Sequence, residues 1–335
     1  MDALALFGLG SLKALFMLVI AGGAALALKG RSARLRAVIW GTALVGSLLI
    51  PVAAMVVPAL PVVVPLEIPQ LNSETLQPTP PESPSASHGS LITPQDRSTQ
   101  DLRFTQPPEH RWSLPSVDSA LMTIWASLAL LLFANQLAGL WRMAGIIRRA
   151  RPITDRETLD LMAHVSAQVG CRQKLRLVAS SELDIPAVFG LFRPVVILPT
   201  HSDSWLEDRL MAVLQHELIH VIRLDWPVRV AARLAATIYW FNPLVWWAKR
   251  RLDLEQEMAC DEEVLALGSR ASSYACHLLG VARTAVHRPA LSVAGLEMAR
   301  RSDLEERIMS ILNRPKHRRV GLAVILPAAI LTAAM

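Results

Sequence analysis

Uncharged apolar runs at residues 14–28, 37–66, 119–141 and 320–335 constrain this chain more than any other feature. The second and third exceed the roughly 20 residues that a helix needs to cross about 30 Å of hydrocarbon, so the chain is expected to fold around a bilayer. With 52% apolar and 19% charged residues among 335, and a mean hydropathy of +0.35, a purely cytosolic enzyme, a disordered chain and a small secreted disulfide scaffold are excluded. The first run becomes long enough only if its helix starts near Ala3 and includes Lys13; the last is short and contains Pro327.

The net charge of +6 has a local origin. Three acid-free clusters adjoin the apolar runs: Lys29, Arg31, Arg34 and Arg36; Arg142, Arg148, Arg149 and Arg151; and Arg314, Lys316, Arg318 and Arg319. Without these 12 residues the chain carries 22 basic and 28 acidic groups, so the excess reports membrane topology rather than a nucleic-acid surface. Placing all three clusters in the cytoplasm yields four spans with the N-terminus outside. The expected organisation is then two transmembrane helices and a short basic loop over 1–66, an extracytoplasmic loop over 67–118, a third span over 119–141, a cytoplasmic domain over 142–319, and a fourth, short span over 320–335. Nine prolines, seven acids and three basic residues make the outer loop irregular. The 178-residue cytoplasmic region can bury its own core. Cys171, Cys260 and Cys276 all fall there, where thiols stay reduced, and they are expected to be buried and inert.

Within that region, residues 205–223 predict a helix capped by Ser202 or Ser204 and carrying His216-Glu217-Leu218-Ile219-His220. Two histidines at i and i+4 share one helical face and can reach a single Zn²⁺, while Glu217 is placed to take a proton from a zinc-activated water. A third ligand is sought on the next helix, 244–267. There Leu254, Glu257, Met258, Asp261, Val264 and Leu265 share one arc, and carboxylates in an apolar stripe need a compensating cation. Glu257 is therefore assigned as the third ligand and Asp261 as the acceptor that orients a ligating imidazole. Glu255, Glu262 and Glu263 fall on other faces and read as solvated acids.

Upstream, Gly190 followed by Val195-Val196-Ile197-Leu198-Pro199 predicts a hairpin or a short edge strand, usable for substrate binding by strand addition. Downstream, Asp225-Trp226-Pro227 signals a helix start with Asp225 as the cap. Trp226, Tyr239, Trp240, Phe241, Trp246 and Trp247 crowd the same stretch, which places the zinc site near the membrane surface. Arg223, His201 and Tyr239 are reachable candidates for stabilising an oxyanion.

Three segments in this order carry a resemblance: PAVFGLFRPVVILP, QHELIHVIRLDW and YWFNPLVWWAKRRLDLEQEMACDEEVL. Together they resemble the membrane zinc metallopeptidases of the β-lactam sensor-transducer (BlaR/MecR antirepressor) family. The resemblance runs from about residue 185 to 265. It implies a mainly α integral membrane protein with a gluzincin-like (zincin) α+β metalloprotease domain, His216, His220 and Glu257 on zinc, and Glu217 catalytic. It also implies signalling that ends in inactivation of a transcriptional repressor, and self-cleavage, for which residues 287–302 are a candidate loop. The family's β-lactam-binding members carry a penicillin-binding sensor domain after the last span; none is expected here, so a β-lactam response does not follow.

The partners expected are the lipid bilayer and a cytoplasmic protein substrate, with a repressor as the candidate the resemblance implies and a second copy of the chain (a homodimer) as a further one; no direct contact with nucleic acid is expected. A membrane protein-processing or quality-control protease and a non-enzymatic transducer are the alternative readings at this point.

Overall fold

Apolar length alone makes the first three helices. In the computed structural model, which describes residues 3–56, 116–285 and 301–313, α1 (Ala3–Ala27), α2 (Ala33–Val56) and α3 (Val117–Arg149) are helical throughout. Each contains a stretch long and apolar enough to cross a membrane: Gly8–Ala27, Ala33–Ile50 and Val117–Arg149. Lys13 is exposed on the flank of α1 rather than turned toward neighbouring helices. The fourth expected span, and all but the last three residues of the expected outer loop, lie outside the described residues. Residues 59–116 form a separate unit, of which only Ser116 is described.

After α3 the chain alternates short strands with helices: β1 (Arg151–Pro152), α4 (Arg156–Val169), β2 (Arg176–Ser180), β3 (Ala187–Phe189) and β4 (Val195–Pro199). Asp155 caps α4 by accepting from the Thr158 amide at 2.9 Å, and Gly170, at φ 78°, ends it. The sheet order is β1-β2-β4-β3, with β2 and β4 parallel and the outer pairs antiparallel, so β3 is an edge. Strand periodicity distributes β4 between two cores. Val195 and Ile197 meet Met143 and Ile146 at the end of α3, whereas Val196 and Leu198 meet Met162 and Val165 of α4.

A 3₁₀ turn (Thr200–Ser204) then leads into α5 (Glu207–Arg223), α6 (Asp225–Ile238), α7 (Pro243–Ala266), α8 (Ala271–Ala285) and, after residues 286–300, α9 (Arg301–Leu312). The expected serine cap on α5 is absent. Ser204 gives its hydroxyl to the His201 carbonyl inside the 3₁₀ turn, so α5 starts two residues later than predicted, behind Leu206. The expected loop at 287–302 lies outside the described residues except for its last two, which open α9. Among the cysteines only Cys260 is fully buried; Cys276 is exposed on α8.

Helix α7 runs antiparallel to α2, with Ala33, Arg36 and Trp40 meeting Glu262, Glu255 and Trp247 in turn, and α6 packs on both. Ala14, Leu18, Trp40, Leu44, Ala235 and Leu252 form one core from α1, α2, α6 and α7. The approach is close: a side chain on Gly41 of α2 would come within 3.1 Å of Val228 on α6. Glu255, expected in solvent, is 1% exposed here because Arg36 of α2 reaches it at 2.7 Å and Arg251 at 3.0 Å. Glu262 accepts from the Ala33 amide and Glu263 pairs with Arg34 and Arg223, so the whole acidic flank of α7 meets the basic start of α2.

Without Arg36, the buried Glu255 carboxylate keeps only the more exposed Arg251 as a partner. Arg36→Met is expected to destabilise the protein by about 3–5 kcal/mol, and Arg36→Met with Glu255→Met to recover most of that loss. Thermal unfolding of the two variants in detergent, scaled against the wild type, checks both.

Candidate metal centre

Helix α5 presents one face to the sheet and the other to α7. His216, Glu217 and His220 lie on the side toward α7 and are all buried. The two imidazoles stack edge-to-face, with Nε2 atoms 3.2 Å apart. Glu257 completes the group: Oε2 is 3.3 Å from His216 Nε2 and Oε1 is 3.4 Å from His220 Nε2. The sequence-predicted residues His216, His220 and Glu257 thus converge, their three donor atoms all within 4.8 Å of one another.

What surrounds each ring decides its chemistry. His220 Nδ1 is 2.7 Å from Asp225 Oδ2, so its proton points there and Nε2 is left bare. His216 Nδ1 is 3.0 Å from Tyr274 Oη and 3.3 Å from Asp261 Oδ1, and the tyrosine donates onward to Asp261 at 2.7 Å. Both Nε2 atoms therefore face each other and the Glu257 carboxylate, an arrangement that either imidazole protons or a bound cation can satisfy. The 3.2 Å between the two Nε2 atoms is close to the edge of a tetrahedron with metal–ligand distances of ~2.0–2.1 Å, and the two Glu257 oxygens each face one ring at 3.3–3.4 Å. The residues fit a tetrahedral metal ion.

Charge compensation comes from further away in the chain. Arg229 of α6 reaches Glu257 Oε1 at 2.6 Å, and Arg307 of α9 reaches Oε2 at 3.1 Å while holding Asp261 with two bonds of 2.8 Å. Burial pushes the Glu257 carboxyl up, but Arg307, His220 and Arg229 hold it well below the usual carboxylate range. Burial likewise pulls the His216 imidazole down, and Asp261 and Glu257 together raise it to about 9. The Glu217 carboxyl is raised, chiefly by burial.

Asp225, read from sequence as a helix cap, instead serves His220. Leu224 adopts a left-handed conformation (φ 56°) that turns the chain sharply between α5 and α6, so the cap position falls on Leu224 and the Asp225 carboxylate swings back onto His220 and Arg223. Cys260 lies 3.3 Å from His220 Nδ1, giving a second metal-capable cluster of His220, Asp225 and Cys260. There Nδ1 is committed to Asp225, and burial with Asp225's charge pushes the thiol well up, so these groups orient the ring.

Two cavities flank Glu217. One is lined by Ala187 and Val188 of β3 with His220, Trp226 and Arg229; the other by His216, Tyr274, His277 and Arg307; Pro186 lines both. Arg223, His201 and Tyr239, the candidates for an oxyanion, line neither cavity: Arg223 is spent on Asp225 and Glu263, His201 packs on Trp205, and Tyr239 bonds to Ser47 of α2.

A family model described as BlaR1 peptidase M56 matches residues 17–311. Over 150 residues, 44% of this chain, the sequence is 32% identical to the regulatory protein BlaR1 of Bacillus licheniformis, covering 25% of that protein. Over 100 residues, 30% of this chain, it is 31% identical to the methicillin resistance mecR1 proteins of Staphylococcus aureus (strain Mu50) and Staphylococcus epidermidis, covering 17% of each. The chain thus spans a quarter or less of the length of these curated relatives.

Removing the group that orients a ligating imidazole weakens metal binding about 10–100-fold. Asp225→Ala is expected to do so by freeing the His220 ring, while circular dichroism stays that of the wild type. Competition for zinc against a chromogenic chelator measures the change.

Proposed function

The chain belongs to the BlaR1 peptidase M56 family of metallopeptidases, and on that premise we propose that it is a membrane-embedded zinc endopeptidase with Glu217 as its general base. His216, His220 and Glu257 are the ligands, and Asp261 orients His216 through Tyr274. The observation that carries this reading is the meeting of two bare imidazole nitrogens and one carboxylate beside Glu217, in a wall shared with edge strand β3. A His₂Glu set leaves a fourth position open, as catalytic rather than structural sites do.

Bound zinc supplies Lewis-acid polarisation of the scissile carbonyl and acidifies water. The substrate adds as an extended strand to the edge of β3, which lines one of the cavities beside Glu217, while Pro186, just before it, lines both. Glu217 takes the proton of the attacking water and returns it to the leaving amine; a carboxyl raised by burial gives that proton up to water less readily and so holds it for the amine. Asp225 and the Tyr274–Asp261 pair keep both rings in the tautomer that bares Nε2.

The enzyme acts in transmembrane signalling, leading to inactivation of a cytoplasmic transcriptional repressor and to self-cleavage. Family membership supports this, as does the name of the Bacillus licheniformis relative, a regulatory protein. The catalytic side faces the cytoplasm. The basic residues Arg34 and Arg36, which the charge rule assigns to that side, pair with Glu263 and Glu255 of the ligand-bearing helix.

Purified wild-type protein is expected to hold about one zinc per chain and to cleave a fluorogenic peptide library. Glu257→Ala should lose the metal, and Glu217→Gln should keep it while losing about 10²–10⁴-fold in cleavage rate. Elemental analysis and the peptide assay read these together; a folded wild type that holds no zinc when prepared under zinc-replete conditions overturns the proposal.

A further inference from the structure

Residues 234–248, which close α6 and open α7, contain 15 consecutive uncharged residues between Arg233 and Lys249. We propose that this hairpin is a re-entrant membrane element, its tip at residues 239–246 lying among lipid acyl chains on the metal-centre side of the bilayer. The inference rests on α1, α2 and α3 being spans, and is independent of the zinc chemistry.

The first support is level. Tyr239 Oη donates to the carbonyl of Ser47, 11 residues beyond Arg36, the last charge of α2. That is ~16 Å along a helix rising 1.5 Å per residue. On α3, Gln136 Nε2 donates to the Arg233 carbonyl (3.0 Å) and to Thr237 Oγ1, six residues or ~9 Å inside Arg142. Trp125, deeper on α3, donates to the Ile238 carbonyl at 2.9 Å. The tip therefore contacts both spans well beyond their flanking charges, in a layer that is about 30 Å of hydrocarbon across. Trp247, nearer Lys249, packs edge-on against Trp40 at 5.1 Å and lies beside Gly22 near the end of α1, where an interfacial tryptophan belongs.

The second support is how the backbone is satisfied. In hydrocarbon no water serves the carbonyls freed at a helix end, so protein groups must. Trp125 supplies a donor to the Ile238 carbonyl at the end of α6, and Trp246 Nε1 donates to the Trp240 carbonyl at 2.9 Å. Asn242 is buried; its amide donates to the Tyr239 carbonyl and its side-chain oxygen accepts from Leu244, capping α7. The Trp240 indole nitrogen is the tip's one buried side-chain donor without a partner among the described residues. A hairpin in water would have no use for indole and amide donors reaching from α3, or for a tyrosine hydroxyl donating into α2.

The third is what remains exposed. Phe241, Trp246 and Trp247 are 42%, 44% and 44% exposed, and Leu128, Leu130 and Leu131 of α3 are exposed as well. A surface at the level of the spans that carries no charge fits acyl chains.

The test uses the full chain in nanodiscs of phosphatidylethanolamine and phosphatidylglycerol. Cys171→Ser and Cys276→Ser remove the reactive thiols, and fully buried Cys260 is kept. A nitroxide is placed at Phe241→Cys or, as a second site at the tip, Pro243→Cys. Leu130→Cys on α3 serves as the lipid reference and Ser272→Cys on α8 as the water reference. Collision with oxygen relative to a water-soluble nickel chelate is expected to match the ratio at 130 and to exceed that at 272 several-fold. A water-like ratio at both tip sites, with 130 lipid-like, overturns the hairpin alone. Low collision with both reagents means the tip is covered by a second copy and overturns it too. A water-like ratio at 130 overturns the spanning reading of α3 and the hairpin with it.

Discussion

Helix α7 is held from opposite sides, and the rest of the molecule is positioned by that fact. Glu255 and Glu257 are two residues apart, a turn of about 200°. One meets Arg36 of α2, the other meets the two imidazoles of α5. The same helix that packs along apolar α2 therefore carries the carboxylate that meets both imidazoles. Any shift of α2 along α7 must either break the Arg36–Glu255 pair or move Glu257 against His216 and His220.

Charge compensation makes so polar a centre tolerable. A carboxylate without a partner in the interior costs several kcal/mol. Glu257 and Asp261 avoid that cost because Arg307 arrives on α9 and Arg229 on α6. These two arginines come from either side of α7 in sequence, so the electrostatic shell closes only when α6 and α9 are both docked. The shell also sets the tautomers. Asp225 and the Tyr274–Asp261 pair engage the Nδ1 atoms, which leaves both Nε2 atoms facing Glu257.

Residues related by helical or strand periodicity were legible in the sequence. His216 and His220 at i and i+4, Glu257 and Asp261 one turn apart in an apolar stripe, and the Gly190 turn between β3 and β4 all rest on geometry internal to one element. Asp225, Tyr274 and Arg307 were not legible. Asp225 looked like a cap, and only the left-handed Leu224 reveals that its carboxylate turns back; its place five residues after a ligand histidine was the one available signal. Tyr274 and Arg307 lie 58 and 91 residues after His216, and nothing in a pattern ties them to it. Glu255 was misread for a related reason: its helical face looked solvated because Arg36 of α2, 219 residues earlier, was not in view.

The sequence by itself determined the apolar helices, the HExxH face, the third carboxylate and the family those segments resemble, because each depends on spacing along one element. Tertiary structure alone decided which groups orient the imidazoles, which arginines neutralise Glu257 and Asp261, and that α7 is buried on two sides. Those depend on contacts between helices far apart in the chain, where a charge finds its partner only after the elements between them have folded.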